Sequence, residues 1–278
     1  MKFGLIAKDI HNSVLPRTFE VFSKDVGISS SFQIFNVPEE RLAETVAFCR
    51  TGLDGFVVTM PYKRAILGYV DQMDVSAEQC GSSNCCLVEH GKLTAYNTDG
   101  WGFIKNMQLK GFSVSGKHVV MVGAGGVAMS LAYHLLVNNA ACIDVFNVYE
   151  DELLRLCGKF GEKFKPHLMD ADALRQTCRS ADLFLNASVL GQVGYPEYED
   201  TSFLNSLPKH AVVYDVNYSN PEARLPAAAR KLELKTYVGC AMSACQGIRA
   251  MEIWTGKTPS DVCAAELVQE LEAAHGER

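Results

Sequence analysis

The sequence predicts an α/β protein with two domains, each built on a sheet whose strands are connected by helices. Its 278 residues exceed what one domain commonly holds, since domains are typically about 100–200 residues long. Hydrophobic residues make up 48% of the chain and charged residues 21%, a composition typical of globular proteins. Short runs rich in β-branched residues alternate with longer segments of helical periodicity, and this alternation favours parallel sheets with crossover helices.

The predicted elements follow one another along the whole chain. Apolar runs predict strands at residues 3–6, 32–35, 55–59, 118–122, 143–146, 183–186 and 212–216. Helical spacing predicts helices at residues 15–26, 41–51, 126–138, 150–160 and 171–179. A helix over 97–112 leads from one domain into the next, and Pro259 with Ser260 opens the last helix. We therefore place one domain at 1–100, joined by C-terminal helices at 242–278, and the other at 101–241.

A glycine-rich turn follows the strand predicted at 118–122. Its residues are Gly123, Ala124, Gly125, Gly126, Val127 and Ala128. In this G-x-G-x-x-G/A pattern, Gly123 permits a tight turn, Gly125 lets the backbone approach a pyrophosphate, and Ala128 allows close helix–strand packing. The N-terminus of the next helix offers free N–H groups to phosphates. The second domain is therefore expected to be a Rossmann-type doubly wound parallel sheet that binds NAD or NADP, and the first a smaller α/β domain.

The residues after the next predicted strand bear on which dinucleotide binds. They read Asn147-Val148-Tyr149-Glu150-Asp151. A 2′-phosphate favours an arginine at this place, whereas a free 2′-hydroxyl tolerates or prefers an acid. No arginine stands at 147–149 and two acids follow, so the sequence favours NAD over NADP.

Charge and cysteine usage exclude several other kinds of partner. The formal net charge of −6 and the pI of about 5.7 argue against nucleic acid. The apolar stretch 119–137 contains three glycines and a histidine, and we interpret it as a buried strand and helix rather than a membrane span.

The ten cysteines include no CxxC pair, so no metal site is expected. The first nine residues lack the apolar run of a signal peptide, and free thiols fit a reducing cytoplasm.

Three polar clusters lie in otherwise apolar surroundings. They are Thr59–Lys63 after a predicted strand, Asn84 in a Gly-Ser-Ser-Asn turn, and Asn97-Thr98-Asp99-Gly100. Each stands at the end of a strand or in a turn, which is where α/β proteins place their ligands.

With these motifs the chain resembles the shikimate dehydrogenase family. The family's G-x-N-V-T-x-P-x-K, G-A-V-N-T and N-T-D-G motifs are similar to residues 55–63, 81–84 and 97–100. Farther along, 182–191 resembles D-x-x-x-N-A-T-x-x-G, 213–218 contains a D-x-x-Y segment, and 239–246 resembles G-x-x-M-x-x-x-Q. The motifs occur in the family's order over essentially the whole chain.

The resemblance implies a role for each matching residue. Lys63 is the expected catalytic acid/base and Asp99 its partner, because reduction of a ketone needs a proton for the developing alkoxide and an ammonium can supply it. Ser13 is expected to bind the substrate carboxylate, and Thr59, Asn84 and Gln246 are expected to hold the substrate hydroxyls. Tyr218 is expected to line an interdomain cleft together with Gly239. Cofactor contacts are expected at Asn147, Asn186, Ser188, Gly239 and Met242 in addition to the glycine turn. The same resemblance implies a small-molecule substrate and a place in aromatic amino acid biosynthesis. It also implies that the protein is a monomer or a homodimer.

The chain departs from the family at positions that choose substrate and cofactor. The family's H-S-x-S-P motif, whose serines bind the substrate carboxylate, reads Asn12-Ser13-Val14-Leu15-Pro16 here. Loss of one hydroxyl donor costs about 1–3 kcal/mol where its partner is buried. Arg17 or Thr18 can compensate for this loss, since an arginine can pair with a carboxylate through two hydrogen bonds. The alternative for Arg17 is that it is an exposed residue in the first turn of a helix. The chain also differs from the family's motifs at Val57, Ser82, Ser83, Ser188, Ala223 and Arg224. The family's Asn-Arg-Thr motif is reduced to Asn147 alone. The substrate can thus be shikimate, quinate, an aminated analogue or another cyclic hydroxy acid.

Two alternatives stay open at this point. One is a dehydrogenase of another substrate class, such as a methylene-tetrahydrofolate dehydrogenase, although the polar set Asn84, Asp99 and Gln246 suits a small polyol better than a pterin. The other is a non-catalytic dinucleotide-sensing module, against which the presence of both Lys63 and Asp99 speaks.

Overall fold

The computed structural model describes residues 1–10 and 13–274 and divides the chain into two compact units. The first unit comprises Met1–Gly102 and Ser243–Glu270, and the second comprises Phe103–Met242 and Leu271–Arg278. The assignment of substrate binding to the first unit and dinucleotide binding to the second stays a prediction.

The described residues form twelve strands and ten α-helices. The strands are β1 (Lys2–Ala7), β2 (Ser31–Asn36), β3 (Gly55–Val58), β4 (Gln72–Met73), β5 (Cys85–Glu89), β6 (Lys92–Tyr96), β7 (His118–Val122), β8 (Cys142–Asn147), β9 (Phe164–Leu168), β10 (Leu183–Asn186), β11 (Val212–Asp215) and β12 (Lys235–Val238). The helices are α1 (Leu15–Asp25), α2 (Leu42–Gly52), α3 (Val75–Cys80), α4 (Asp99–Leu109), α5 (Gly126–Val137), α6 (Glu150–Phe160), α7 (Ala171–Cys178), α8 (Arg224–Lys231), α9 (Cys240–Thr255) and α10 (Asp261–Ala274).

The sheet of the first unit is mixed rather than parallel. Its strand order is β2-β1-β3-β5-β6-β4, and β5 runs antiparallel to both β3 and β6. The sequence prediction missed the β5–β6 hairpin, whose two-residue turn places His90 and Gly91 at φ values of 51° and 76°. Both φ values are positive, as in the turns that close two-residue hairpins. As a result the carboxyl ends of β1, β3 and β6 and the amino end of β5 lie at one edge.

The sheet of the second unit is wholly parallel, with the order β12-β11-β10-β7-β8-β9. This is the doubly wound order, which reverses between β7 and β10, and it confirms the predicted fold class. The edge strands β9 and β12 were not predicted, because residues such as Lys165, Pro166 and Lys235 interrupt their apolar pattern. Proline is tolerated in β9 because that strand has a neighbour on one side only.

Apolar side chains fill both faces of the second sheet. One face packs Val119, Met121 and Ile143 into a core with α5 and α6, and the other packs Val122 and Phe146 against α7. The apolar stretch 119–137 thus consists of β7, the glycine turn and α5. Within residues 1–10 and 13–274, no helix is both long and apolar enough to cross a bilayer.

Candidate active site

A buried tyrosine fixes the loop that carries Lys63. This loop follows the carboxyl end of β3, and the Tyr62 ring is only 2% exposed in the core of the first unit. The Tyr62 hydroxyl donates a hydrogen bond to the Val37 carbonyl, and its backbone N–H donates to the Thr59 carbonyl at 2.9 Å. The Ser83 N–H in turn donates to the Lys63 carbonyl at 2.7 Å. The backbone on both sides of Lys63 is therefore held.

The Lys63 ammonium forms an ion pair with a buried carboxylate. Its Nζ lies 2.7 Å from Oδ2 of Asp99, in the first turn of α4. The lysine side chain is 24% exposed and the aspartate side chain 4%. A carboxylate so deeply buried needs charge and hydrogen-bond partners, and Oδ1 of Asp99 gains a second partner in Nδ2 of Asn84 at 2.9 Å. The ammonium keeps an exposed side through which it can reach a ligand.

Asn84 is the centre of the hydrogen-bond network around this pair. It is 1% exposed, and its Nδ2 also lies 2.8 Å from Oε1 of Gln246 and 3.0 Å from Oγ1 of Thr98. Its Oδ1 accepts the backbone N–H of Thr98 at 2.7 Å. The two amide hydrogens thus face three acceptors of the protein itself. Asn84 holds Asp99 and Gln246 in place, and its expected contact with substrate hydroxyls stays a prediction.

The strand directions explain why these side chains meet. Lys63 follows the carboxyl end of β3, Asp99 follows the carboxyl end of β6, and Asn84 precedes the amino end of β5. These three strand ends share one edge of the first sheet. Thr59 stands at the same edge, and its hydroxyl forms no hydrogen bond within the described residues. That hydroxyl is available to a ligand.

Ser13 and Leu15 stand at the start of α1. The Ser13 hydroxyl accepts the Leu15 backbone N–H at 3.2 Å, while Asn12 lies outside the described residues. Leu15 is 5% exposed and packs against Gly247 of α9. Arg17 does not replace the missing serine, because it forms two hydrogen bonds of 3.0 Å with Glu270. Thr18 donates its hydroxyl to the Val14 carbonyl.

The glycine turn of the second unit leaves open space beside its backbone. Gly123 has a φ of 107°, and a Cβ there would stand 2.7 Å from the Ala187 backbone. A Cβ at Gly125 or Gly126 would meet no atom within 4 Å. No side chain caps the start of α5, so the first N–H groups at Gly126, Val127 and Ala128 are available to an anion.

Acidic residues surround the end of β8, where the ribose of a bound dinucleotide is expected. Asn147 donates its amide to Oε2 of Glu152 at 3.1 Å and to the Tyr149 carbonyl at 3.2 Å. The first turn of α6 carries Glu150, Asp151 and Glu152. Val148 and Tyr149 are more than half exposed.

A buried network that sequence reasoning missed joins β10 to β11. Oδ1 of Asp215 accepts from Nδ2 of Asn186 at 2.9 Å and from the Asn217 N–H at 3.0 Å. Oδ1 of Asn186 accepts from the Ser188 hydroxyl at 2.7 Å and from the Tyr198 hydroxyl at 3.0 Å. Burial raises the pKa of Asp215 to about 7. Asn186 and Ser188 thus fix the loops at the carboxyl edge of the sheet, and the D-x-x-Y segment was the available signal for Asp215.

The remaining predicted residues also lie in the second unit, beyond the ends of β11 and β12. A Cβ at Gly239 would lie 1.9 Å from the Val216 carbonyl oxygen, so no other residue fits there. Met242 is 4% exposed and packs into the core. Tyr218 is half-buried in the loop after β11. The structure therefore places Tyr218 in a different unit from the other predicted substrate residues.

Comparisons with known proteins identify related sequences and structures. A family model described as the shikimate dehydrogenase substrate binding domain matches residues 5–86. A shikimate dehydrogenase (NADP(+)) from Symbiobacterium thermophilum is 31% identical over 276 residues, covering 97% of this chain and 94% of that protein. The crystal structure of a Listeria monocytogenes shikimate 5-dehydrogenase with shikimate and NAD has a TM-score of 0.84, 27% identity, and coverage of 97% and 95%.

A further similar structure carries another name. The ligand-free 5-ketofructose reductase of Gluconobacter sp. strain CHM43 matches with a TM-score of 0.80 and 25% identity over 97% of this chain and 98% of that one. The full-length match to curated relatives at about 30% identity, together with the predicted fold, decides the family. This chain belongs to the shikimate dehydrogenase family of NAD(P)-dependent oxidoreductases.

Proposed function

We propose that the protein oxidises and reduces the ring hydroxyl and ketone of shikimate or a closely related cyclic hydroxy acid, with Lys63 as acid/base. The observation that carries this proposal is the 2.7 Å ion pair between Lys63 and the buried Asp99. A non-catalytic sensor has no need of such a pair. The curated relatives of matching length are named for shikimate rather than a folate, which disfavours the methylene-tetrahydrofolate alternative.

The residues of the first unit support a defined proton transfer. When bound, the dinucleotide supplies or accepts the hydride. In the reducing direction, Lys63 Nζ donates a proton to the oxygen that was the ketone, and the Asp99 carboxylate stabilises and orients the ammonium until then. In the oxidising direction, neutral Lys63 accepts the hydroxyl proton. Asn84 keeps Asp99 in position through its 2.9 Å hydrogen bond.

Hydroxyl groups of the substrate have partners at the same edge of the first sheet. We assign Thr59 and the side chain of Gln246 to them, with Ser13 at the carboxylate. Tyr218 of the second unit completes the proposed substrate set. Gly239 has no side chain and so leaves room for the backbone of Val216. Met242 packs the start of α9 into the core.

The cofactor is a nicotinamide dinucleotide, and we propose that NAD is preferred. The residues at the end of β8 fit a free ribose hydroxyl, because Glu150, Asp151 and Glu152 would repel a 2′-phosphate. Val148 stands where the family carries an arginine. Curated relatives are named as NADP(+)-dependent. The experiment should therefore measure activity with NAD and with NADP.

Leu15 favours a second candidate substrate class. A buried leucine at the position of a carboxylate-binding serine fits a small ketose without a carboxylate, and a structurally similar protein is named a 5-ketofructose reductase. In this alternative Lys63 keeps the same role, since the reacting groups are again a ketone and a hydroxyl.

The cysteines support a reducing compartment. None of the ten, all of which lie within the described residues, forms a disulfide, and nine of them are buried. We infer a cytoplasmic enzyme from this pattern. Whether it is a monomer or a homodimer stays a prediction of the resemblance.

A substrate panel tests the proposed function. Reduced cofactor is followed by its absorbance with shikimate, quinate and 5-ketofructose, in the appropriate direction, with NAD and NADP in parallel. We expect turnover of shikimate or quinate. Turnover of 5-ketofructose alone would support the second candidate, and dinucleotide binding without turnover of any compound would contradict both.

A further inference from the structure

A polar strip crosses three neighbouring strands of the second sheet. His118 begins β7 and pairs in register with Cys142, the first residue of β8, while Asp144 pairs with Lys165 of β9. Paired residues of parallel strands point to the same face, so these side chains share the face that α7 covers farther along. His167, two residues after Lys165, lies on this face as well. We call His118, Cys142, Asp144 and His167 the sheet cluster.

The sheet cluster converges on one buried carboxylate. Oδ2 of Asp144 lies 2.7 Å from Nε2 of His118 and 3.7 Å from Sγ of Cys142. Its Oδ1 lies 2.6 Å from Nε2 of His167. Asp144 is 6% exposed. The ligand atoms of His118, Cys142 and Asp144 all lie within 4.8 Å of one another.

The hydrogen bonds of His118 orient its ring for cation binding. Its Nδ1 lies 3.0 Å from the Ser180 carbonyl oxygen and 3.2 Å from the Ser180 hydroxyl; in the tautomer with a hydrogen on Nδ1, the ring donates to that carbonyl. The neutral ring then presents the lone pair of Nε2 to the Asp144 carboxylate, which is itself an acceptor. In that tautomer the two acceptors, 2.7 Å apart, can share a proton or a metal ion. A histidine held through its other nitrogen by a carbonyl is the usual arrangement for a metal ligand.

We propose that His118, Cys142 and Asp144 bind one divalent transition-metal ion of the zinc class. The ligands would be Nε2, Sγ and Oδ2, with a water molecule as the fourth, since Cys142 is partly exposed to solvent. Imidazole, thiolate and carboxylate are the ligand types of zinc, with bond lengths of about 2.0–2.3 Å. His167 positions Asp144 through the other carboxylate oxygen. On binding, Sγ of Cys142 releases its proton to solvent, as does Nε2 of His118 when that nitrogen carries one.

One charged neighbour opposes the ion and must move. Lys165 lies near enough to Cys142 and His118 to affect the pKa values of both. Its side chain is exposed on the edge strand β9, so it can turn toward solvent when the cation binds.

The proposed site is separate from the dinucleotide residues. His118 and Cys142 begin their strands, whereas the glycine turn follows the carboxyl end of β7, about 13 Å away at about 3.3 Å per residue. A metal there would link β7 to β8. The sequence analysis predicted no metal site because the chain has no CxxC pair. The proposed ligands come from two separate strands, so their spacing along the chain forms no such motif.

Cobalt titration of the full-length protein, first stripped with a chelator, tests the proposal. Cobalt reports thiolate ligation through a charge-transfer band in the near ultraviolet. We expect one equivalent to produce this band and zinc to abolish it. Cys142→Ser should lose the band, His118→Ala should weaken binding severely, and His167→Ala should weaken it about 10–100-fold, as expected for a residue that positions a ligand.

Two matched variants serve as controls. Cys157→Ala removes a buried thiol elsewhere in the second unit, and His210→Ala removes an exposed imidazole; both should titrate like the wild type. Circular dichroism checks that each variant is folded. A wild type that gives no cobalt band, a band that persists in Cys142→Ser, or equal affinity in His118→Ala and wild type would each overturn the proposal.

Discussion

The side chain of Leu15 occupies the space beside Gly247. Its Cδ2 lies 2.7 Å from where a Cβ on Gly247 would stand, so the leucine packs directly on α9. The preceding residue, Gln246, accepts a hydrogen bond from Asn84. The departure from the family's second serine therefore couples the start of α1 to the helix that carries a proposed substrate residue.

Leu15→Ser should restore a hydroxyl for a substrate carboxylate. Its proper comparison is Leu15→Ala, since both substitutions lose the buried side chain at a cost of about 2–5 kcal/mol in stability. One added hydrogen bond is worth about 1 kcal/mol, so the KM for shikimate should be about fivefold lower in the serine variant than in the alanine variant. The KM for 5-ketofructose should be equal in the two. Equal KM ratios for both compounds would show that residue 15 does not face a carboxylate.

Gly125→Ala should impair dinucleotide binding without unfolding the protein. A methyl group at this position meets no protein atom within 4 Å, but it occupies the space that a pyrophosphate must approach. We expect a similar melting temperature and a Kd for NAD raised more than about tenfold, measured by calorimetry. Gly123→Ala is the contrasting variant: its methyl collides with the Ala187 backbone at a positive φ and should cost more than about 1 kcal/mol in stability. Unchanged NAD affinity in Gly125→Ala would place the pyrophosphate elsewhere.

Val148→Arg should move the cofactor preference toward NADP. The arginine adds a cation that can pair with a 2′-phosphate beside the acidic start of α6. The ratio of kcat/KM for NADP to that for NAD should increase about tenfold or more, corresponding to about 1.4 kcal/mol. Val148→Gln, which has a long side chain without charge, should leave the ratio near the wild-type value. A wild type that already prefers NADP strongly would refute our NAD proposal.

Asp215 should make the protein less stable as the pH rises from about 4 to about 7. Its folded pKa of about 7 exceeds the ordinary 3.8, so between these values the folded state holds a proton that the unfolded state has lost. The free energy of unfolding therefore decreases from about pH 4 to about pH 7, by on the order of 4 kcal/mol at full ionisation. Asp215→Asn keeps the acceptor for Asn186 and should flatten this decrease in thermal melts at pH 5 and pH 8. An unaltered profile in Asp215→Asn, matching the control Glu199→Gln, would show that Asp215 is ionised throughout.

The residues of the proposed proton-transfer site could be predicted from the sequence because they stand at strand ends. Lys63, Asp99 and Asn84 each belong to a polar cluster beside an apolar run, and parallel strand ends share an edge. The turn His90-Gly91 was missed because it lacks the Asn-Gly or Asp-Gly pair typical of two-residue hairpins, so the antiparallel hairpin that brings Asn84 to that edge was not predicted.

Contacts between distant parts of the chain could not be predicted from local patterns. Asn84 and Gln246 are 162 residues apart, and their mutual hydrogen bond shows that Asn84 also positions other residues. Tyr62 and Ser83 hold the Lys63 backbone through bonds that no motif reveals. The sheet cluster likewise arises only when β7, β8 and β9 pair in register.

The hydride-transfer rate of Lys63→Ala is the sharpest test of the proposed chemistry. With shikimate and NAD at saturation, loss of an acid/base group should lower kcat by about 10²–10⁴-fold, while calorimetry should show NAD affinity unchanged because the cofactor residues lie in the second unit. Lys92→Ala, which removes a lysine from the β5–β6 hairpin, should retain full activity. A Lys63→Ala enzyme that turns over at a rate near that of the wild type would contradict the assignment of Lys63 as the proton donor and acceptor.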